Sequence, residues 1–236
     1  MAYIERLDGR KIEDLRPMEA KAGIIPNASG SAYFKIGKTT AYAAVYGPRE
    51  LFPRFKQNPK KGVLRCHYGM MPFSGCGDRI RPGSNRRAQE IALVIEKSFA
   101  PVVDLSAFPN AVLDIFVDLP QTDAGTRCAA ISAISIALAD AGIPMTDMIC
   151  AVAMGQVDGT VVADLNYGEE SYPAIVSDIP IAMIHNKKEL TLLQMDGEIS
   201  REDLMKALKL GEVVIEKVYE VQMQALKEKF AKDNWG

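Results

Sequence analysis

Apolar residues in the first part of the chain follow the strand period and the helix period in turn. Two β-like runs at 32–36 and 40–46 are separated by a glycine turn and predict a hairpin. The apolar residues between 63 and 72 predict a further strand. Between 84 and 99 apolar positions recur at helical spacing, which predicts an amphipathic helix capped by Ser84.

A strand, a short turn and a uniformly apolar segment then follow one another. The run 112–119 is β-like, whereas 128–142 is rich in Ala, Ile and Leu and carries no charge before Asp140. This second segment predicts a buried helix that ends at Gly142. The heptapeptide 121–127 therefore connects the end of a strand to the start of a helix.

The second half of the chain predicts two hairpins and a final helix. The predicted strands are 148–156, 160–165, 179–184 and 190–195, and the helix begins at Ser200. Asp158-Gly159 between the first two runs is a strong hairpin signal. The order of elements predicts an α+β or mixed α/β fold in two lobes, 1–145 and 146–236.

The composition is that of a soluble globular protein, with 48% hydrophobic and 25% charged residues. No apolar run approaches the roughly 18 residues of a membrane span, and residues 1–6 lack the apolar part of a signal peptide. Four scattered cysteines without a Cys-x-x-Cys pair favour a reduced, cytoplasmic protein without structural zinc. Two histidines, His67 and His185, are too few for a multi-histidine metal site and argue against a histidine triad.

Positive charge is concentrated in one segment of an otherwise acidic chain. The formal net charge is −2, yet residues 49–87 hold ten basic and two acidic side chains. Such a segment on an acidic body indicates a localised site for a polyanion. A solvated charged loop is the alternative explanation.

Gly125-Thr126-Arg127, at the expected start of the buried helix, has the features of an anion site. A helix N-terminus offers free N–H groups and a partial positive charge. Gly125 lets an anion approach the backbone, Thr126 adds a hydroxyl and Arg127 adds a fixed cation. No Gly-Lys-Ser/Thr or Gly-x-Gly-x-x-Gly is present here, which excludes a nucleotide P-loop and a dinucleotide fingerprint. We expect a phosphate-sized anion at this turn, and a plain helix cap is the alternative.

Two further groups of charges bear on the same chemistry. Arg86-Arg87 lies in the first turn of the helix at 84–99, where the helix dipole disfavours cations unless an anion is bound. Glu169, Glu170 and Asp178 lie in or beside a predicted loop at 166–177 and can act as a general acid or hold a divalent cation. Cations, a helix start and carboxylates together predict phosphoryl chemistry on an anionic polymer, in which inorganic phosphate attacks a phosphodiester.

Motifs along nearly the whole chain resemble the RNase PH family. They are Arg6-Leu7-Asp8-Gly9-Arg10, Leu15-Arg16-Pro17, Gly30-Ser31-Ala32, Ala44-Val45-Tyr46-Gly47-Pro48-Arg49-Glu50, Met71-Pro72-Phe73-Ser74, Arg86-Arg87 with Glu90-Ile91, the heptapeptide 121–127, the segment 138–145 and the segment 191–197. Each is modest alone, but the order and spacing are specific. Within the family the chain is most similar to the catalytic RNase PH-like subunits of archaeal exosomes.

The resemblance implies an RNase PH-like fold with two βαβα-like halves, of the ribosomal protein S5 domain 2 type. It implies phosphate-dependent 3′→5′ degradation of single-stranded RNA, which releases nucleoside diphosphates, and RNA tailing in the reverse direction. Its expected partners are an inactive paralogous subunit in a ring of three heterodimers and RNA-binding cap subunits. Inorganic phosphate would be the co-substrate, and a need for Mg²⁺ stays open.

The resemblance also implies roles for individual residues. Gly125, Thr126 and Arg127 match the phosphate site, and Arg86, Arg87, Arg65 and Tyr68 match RNA contacts, with Tyr68 as a base-stacking ring. The candidate catalytic carboxylates, and the candidate ligands of any metal, are Asp178 and Glu170. Glu170 stands where the family usually has Asp, so which of the two donates the proton stays open. His67 stands where such subunits often have Arg.

Two other functions share the same fold. One is a non-catalytic, RNA-binding ring subunit, but such subunits tend to lose the Gly-Thr-Arg and the acidic pair that this chain keeps. The other is a free-standing RNase PH that trims tRNA ends as a homohexamer. The long C-terminal helix and the segment 191–197 favour the exosome subunit over it.

Overall fold

The computed structural model describes residues 5–76, 80–81, 83 and 85–232. These residues form a mixed α/β fold, which confirms the predicted class. The elements of the first half are β1 (Met18–Ala22), β2 (Gly30–Ile36), β3 (Thr39–Glu50), β4 (Val63–Met70), α1 (Arg86–Phe99), β5 (Ala111–Gln121) and α2 (Thr126–Asp140). Those of the second half are β6 (Ile149–Val157), β7 (Thr160–Ala163), α3 (Tyr167–Glu170), β8 (Val176–Ile184), β9 (Leu190–Leu193) and α4 (Arg201–Lys232).

The strands form two sheets. The first has the order β1-β2-β3-β5-β4, and only its β4–β5 pair is parallel. A parallel pair needs a crossover connection, which α1 supplies. The second sheet has the order β7-β6-β8-β9 and is antiparallel throughout. The run β4-α1-β5-α2 thus has the βαβα order that the family resemblance implies.

Helix α2 lies in the core and contacts strands of both sheets. Twelve of its 15 residues are buried, which suits a helix that is apolar on all sides. Gly30 on β2 allows a close approach to the end of α2, because a Cβ there would lie only 2.4 Å from the Ala137 carbonyl oxygen. One continuous hydrophobic core therefore includes residues of both sheets. Packing along the whole length of α2 therefore fixes the position of its first turn.

Several local predictions are confirmed. Asp158 and Gly159 turn the β6–β7 hairpin with φ of 46° and 81°, as a primed turn requires. The Ser200 hydroxyl accepts the Asp203 N–H at 3.1 Å at the start of α4. At α1 the cap is Asn85, whose side chain accepts the Ala88 N–H at 2.8 Å. The predicted cap, Ser84, lies outside the described residues.

Three features differ from the sequence prediction. β1 has no counterpart in it, since its alternating half-buried residues carry only a weak apolar signal. The expected loop at 166–177 contains the short helix α3, because Asn166 and Glu169 form a reciprocal capping box. Asp178 lies inside β8 instead of before it.

Arginines of the N-terminal segment tie it to the second half of the chain. Arg6 makes a bidentate contact with Glu169 at 2.7 and 2.6 Å, and Arg16 makes one with Asp164 at 2.8 and 2.6 Å. Both ion pairs are buried. We call these four residues the N-terminal ion network.

Helix α4 is the longest element, at 32 residues, and packs on β6, β1 and α2. Its buried face includes Ile215 and Val218, and its other side is charged. Across the part of the chain that the structure describes, no helix combines the length and the apolar character needed to cross a membrane.

Candidate active site

The last residue of the turn before α2 has a backbone conformation that glycine adopts without strain. Gly125 caps the helix in the left-handed region, with φ of 63°, and Ala124 before it has φ of 58°. A Cβ at Gly125 would lie 3.4 Å from Arg16 Nη2 and 3.5 Å from Ala153 Cβ. Because Gly125 has no side chain of its own and borders a cavity, a ligand can approach the free N–H groups of the first turn of α2.

Thr126 and Arg127 follow at the first helical positions. Arg127 makes one long ion-pair contact, 3.8 Å from its Nη2 to Glu90 Oε2. Its Nε is buried and has no hydrogen-bond partner within the described residues. A guanidinium with an unused donor beside free helix N–H groups is suited to bind an anion.

Asp178 and Glu170 approach the same place from the second half of the chain. Asp178 is held on β8, where its N–H and carbonyl bond the backbone of Asp196 at 2.8 and 2.9 Å. Burial raises the pKa of Asp178 to about 6; Arg127 opposes this rise and Asp196 adds to it. Burial and the charge of Asp178 raise the pKa of Glu170 to about 7. The pair therefore titrates closer to neutral pH than ordinary carboxyl groups do.

Glu169 and Glu170 are neighbours in sequence but face different surroundings. Glu169 is fully buried, caps α3 and is bound by Arg6. Glu170 is the next residue on α3. It lies close enough to Asp178 for the charge of Asp178 to raise the pKa of Glu170. The pairing of Glu169 with Arg6 therefore fixes α3 and so positions Glu170.

One cavity of about 300 Å³ brings the two sides together, and we call it the cleft. Six of the predicted site residues line it: Arg87, Gly125, Thr126, Arg127, Glu170 and Asp178. Four of these, Arg87, Arg127, Glu170 and Asp178, also line a neighbouring cavity beside Asp196 and Gly197. They form the wall between two openings, so a ligand can reach them from either side.

The remaining predicted site residues lie outside the cleft lining. Arg86 is exposed and does not line the cleft, although its neighbour Arg87 does. Arg65 lies five residues before the end of β4 and pairs with Asp114 on β5 at 2.5 and 3.0 Å. These two arginines can contact only parts of a polymer that extend beyond the cleft.

Tyr68 does not have the position that a base-stacking role requires. Its side chain is 7% exposed and packs in the core, on the helix-facing side of β4. Its hydroxyl lies beside Thr126, and burial raises its pKa. In this chain the ring of Tyr68 supports the start of α2, and although the residue borders a groove beside β4, its ring is almost wholly buried.

Arg16 and Asp123 are site residues that the sequence alone did not single out for a role. Arg16 donates to the Asp123 carbonyl oxygen and lies 3.6 Å from the Asp123 carboxylate. Asp123 Oδ1 in turn accepts the N–H of Tyr167 at the start of α3, at 3.1 Å. The two residues connect the turn before α2 to the helix that carries Glu170. Both residues lie in motifs of the family resemblance, but neither motif reveals that Arg16 and Asp123 contact each other.

Glu170 and Asp178 are also the residues that can hold a divalent cation. Within the described residues, no group of three or more His, Cys, Asp or Glu side chains is arranged to hold a metal ion. Mg²⁺ is often bound through one or two carboxylates plus substrate phosphates and water. The pair fits that mode and does not form a closed metal site.

Comparisons with known proteins show the family of the chain. The RNase PH model described as "3' exoribonuclease family, domain 1" matches residues 14–144, and the one for domain 2 matches 147–214. "Exosome complex component Rrp41" of Pyrococcus furiosus is 46% identical over 227 residues, which cover 96% of this chain and 90% of that protein. The protein of the same name from Methanopyrus kandleri is 46% identical over 228 residues, with coverages of 97% and 94%. The crystal structure of rice Rrp46 matches the fold with a TM-score of 0.83 at 24% identity, over 94% of this chain and 100% of that chain.

Proposed function

This chain belongs to the RNase PH family of 3′ exoribonucleases, and on that basis we propose that it degrades RNA from the 3′ end by phosphorolysis. One observation carries the proposal. The open helix start at Gly125, Thr126 and Arg127 lies in the same cleft as two carboxyl groups with raised pKa, Glu170 and Asp178. A phosphate site opposite a proton donor is what the reaction needs.

The main obstacle to this reaction is the repulsion between two anions. Unit charges 4 Å apart repel by about 4 kcal/mol at an effective dielectric of about 20, and a dianionic phosphate roughly doubles that. Arg127, the free N–H groups of α2 and Arg87 offset this repulsion, since all of them border the cleft. Arg16 does not offset this repulsion, because its guanidinium already donates hydrogen bonds to Asp164 and to the Asp123 carbonyl oxygen.

The reaction balances without any other reagent. An oxygen of inorganic phosphate, bound at Gly125–Arg127, attacks the phosphorus of the last phosphodiester. The bond from that phosphorus to the 3′ oxygen of the preceding nucleotide breaks. That oxygen takes a proton from the carboxyl pair, and the terminal nucleotide leaves as a nucleoside diphosphate. The reverse direction adds nucleotides and releases phosphate, which is RNA tailing.

We assign the donated proton to Asp178 and a supporting role to Glu170. Asp178 is fixed on a strand and lies close to Arg127, so its distance from bound phosphate is well defined. Glu170, with a pKa of about 7, keeps a proton beside it at neutral pH. A Mg²⁺ ion held by the pair and by substrate phosphates would neutralise further charge.

The names of the relatives support an assembly. Proteins 46% identical to this chain are called exosome complex components. We therefore propose that the chain forms a ring of three heterodimers with an inactive paralogous subunit, that RNA-binding subunits cap the ring, and that it acts on single-stranded RNA in the cytoplasm. Size-exclusion chromatography with and without the paralogue tests this, and a stable hexamer active alone would contradict it.

Product analysis tests the chemistry. Poly(A) RNA incubated with the assembled protein and phosphate is expected to yield ADP, and omission of phosphate is expected to stop the reaction. AMP formed in phosphate-free buffer would mean hydrolysis and would refute phosphorolysis.

A further inference from the structure

The first sheet has one face that no helix among the described residues covers. Phe116 on β5, His67 on β4 and Tyr46 on β3 project from this face, opposite the side that packs on α1 and α2. Phe116 is 38% exposed, although large aromatic side chains are usually much more buried. The face therefore presents rings that the fold itself does not use.

The rings form an ordered group. The rings of His67 and Phe116 are stacked, with centroids 4.7 Å apart and planes 9° from parallel. Tyr46 contacts Phe116 edge to face at 5.8 Å, and the Arg49 guanidinium lies 5.3 Å from the Tyr46 ring. The His67 side chain is exposed, and among the described residues Phe116 is the one ring that stacks on it, so its other face is available to a further ring. We call His67 with Phe116 the aromatic platform.

The platform is connected to the cleft. A groove of about 430 Å³ is lined by residues from both faces of β4, among them His67, Tyr68 and Met70, and by Phe116 on β5. Met70 also lines the cleft. His67 and Met70 are three residues apart on β4, about 10 Å at 3.3 Å per residue, and point to opposite faces of the sheet. Because β4 is the last strand of its sheet, a chain that leaves the cleft at Met70 reaches the platform by passing over this edge.

Charged side chains of both signs surround the platform. Arg65 and Arg49 both contact the carboxylate of Asp114, at 2.5 and 3.4 Å, and Asp118, two residues after Phe116, also lines the groove. Both arginine side chains are about half exposed, at 42% and 51%. A free aromatic face flanked by arginines matches single-stranded nucleic acid better than an apolar protein segment, since bases stack on rings and phosphates pair with cations.

We propose that a base of the RNA, upstream of the nucleotide being removed, stacks on the free face of His67, and that Phe116 supports this ring from behind. The proposal rests on the proposed function, because it takes single-stranded RNA as the substrate of the cleft. Such stacking binds RNA with little dependence on the base sequence and does not require Tyr68. His67 and Phe116 are thus RNA-binding residues distinct from the predicted arginines.

Binding of RNAs that each lack one base tests the platform. The full chain in its native assembly is titrated, without phosphate, with single-stranded RNAs that carry one abasic ribonucleotide at successive positions from the 3′ end. We expect one upstream position at which loss of the base weakens binding by at least about fivefold, the size expected for one stacked base. His67→Ala is expected to weaken binding of intact RNA by the same factor and to abolish the effect of the abasic position, whereas His67→Phe is expected to retain it.

Tyr42→Ala is the matched control. Tyr42 is 40% exposed on the same sheet face but does not line the groove, so its loss is expected to leave RNA binding unchanged. Unchanged binding of every RNA by His67→Ala, with normal phosphate-dependent turnover of the wild type, would overturn the platform alone. A wild type that neither binds nor degrades RNA would overturn the proposed function as well. If Tyr42→Ala, His67→Ala and Phe116→Ala all dissociate the assembly, the face is a protein interface and the platform is wrong.

Discussion

Arginine and carboxylate side chains meet in two regions of this molecule, with opposite results. In the N-terminal ion network each charge has a close partner, as in the 2.6 Å contact of Arg6 with Glu169. In the cleft, Arg87, Arg127, Glu170 and Asp178 lie along one wall, yet the described residues contain no ion pair among these four. Arginine and carboxylate side chains therefore form close ion pairs with each other in the network but not in the cleft.

The difference separates structural charges from functional ones. Paired, buried charges hold the N-terminal segment and α3 in place, and breaking one pair leaves a buried charge uncompensated. In the cleft, burial raises the pKa values of the two carboxyl groups, no close ion pair offsets this rise, and Arg127 Nε has no acceptor among the described residues. The cleft is therefore prepared to bind an anion and to hold a proton.

The largest expected effect is that of Asp178→Asn on turnover. Removal of a general acid typically costs about 10²–10⁴-fold in rate, and asparagine keeps the shape of the side chain. We expect a loss of this size in phosphate-dependent nucleotide release, with an unchanged unfolding midpoint. Asp158→Asn is the control, since Asp158 lies in the β6–β7 turn, does not line the cleft and stands at a turn position that asparagine also adopts. Equal losses in the two variants would remove the special role of Asp178.

Arg6→Met tests the network as a structural element. Breaking a buried ion pair costs about 3–5 kcal/mol, because the remaining Glu169 carboxylate stays buried without its cation. Urea unfolding of the variant is expected to show this loss, and the double variant Arg6→Met with Glu169→Gln is expected to recover most of it. No recovery in the double variant would show that the Arg6 side chain acts through its hydrogen bonds to backbone carbonyl oxygens, and not through the pair with Glu169.

Arg127→Ala is expected to have the opposite profile. The loss of one preorganised donor to a reacting anion costs about 10²–10³-fold in kcat, whereas the fold has only the 3.8 Å contact with Glu90 to lose. Turnover at saturating RNA and varied phosphate measures the effect, and the exposed Arg201→Ala serves as control. A variant that unfolds, or that retains turnover, would place Arg127 with the structural arginines.

The smallest effect is on stability as a function of pH. Glu170 has a pKa of about 7 in the fold and an ordinary value of 4.5, so the folded state binds more protons between these values and loses stability as the pH rises through them. Glu170→Gln removes this loss. With a discount for partial exposure, we expect the variant to be more stable than the wild type by roughly 1–2 kcal/mol at pH 8 and by little at pH 5. Equal effects at both pH values would contradict the raised pKa.

Local signals in the sequence were sufficient to predict α2, the hairpin at Asp158-Gly159 and the start of α4. In each case one short stretch carries both the periodicity and the turn chemistry. The open turn at Gly125 belongs to the same class, because a strand end, a glycine and a helix start follow one another there. The roles assigned to individual residues of the cleft stay predictions.

Long-range contacts could not be predicted in this way. Arg16 and Asp164 are 148 residues apart, and nothing near either of them reveals the pair. Glu169 and Glu170 look equivalent in sequence, yet only the fold shows that Glu169 is used by Arg6. Tyr68 and His67 are likewise neighbours that face opposite sides of β4, so the side of the sheet decides which ring is available.

Labelled inorganic phosphate tests the central claim most directly. The assembled protein is incubated with unlabelled poly(A) RNA and ³²P-labelled phosphate, and the released nucleotides are separated. We predict that the label appears in the β-phosphate of ADP in the wild type and is lost in Arg127→Ala. Nucleotides released by the wild type without label would contradict the account, because the attacking group would then not be the phosphate bound at Gly125–Arg127.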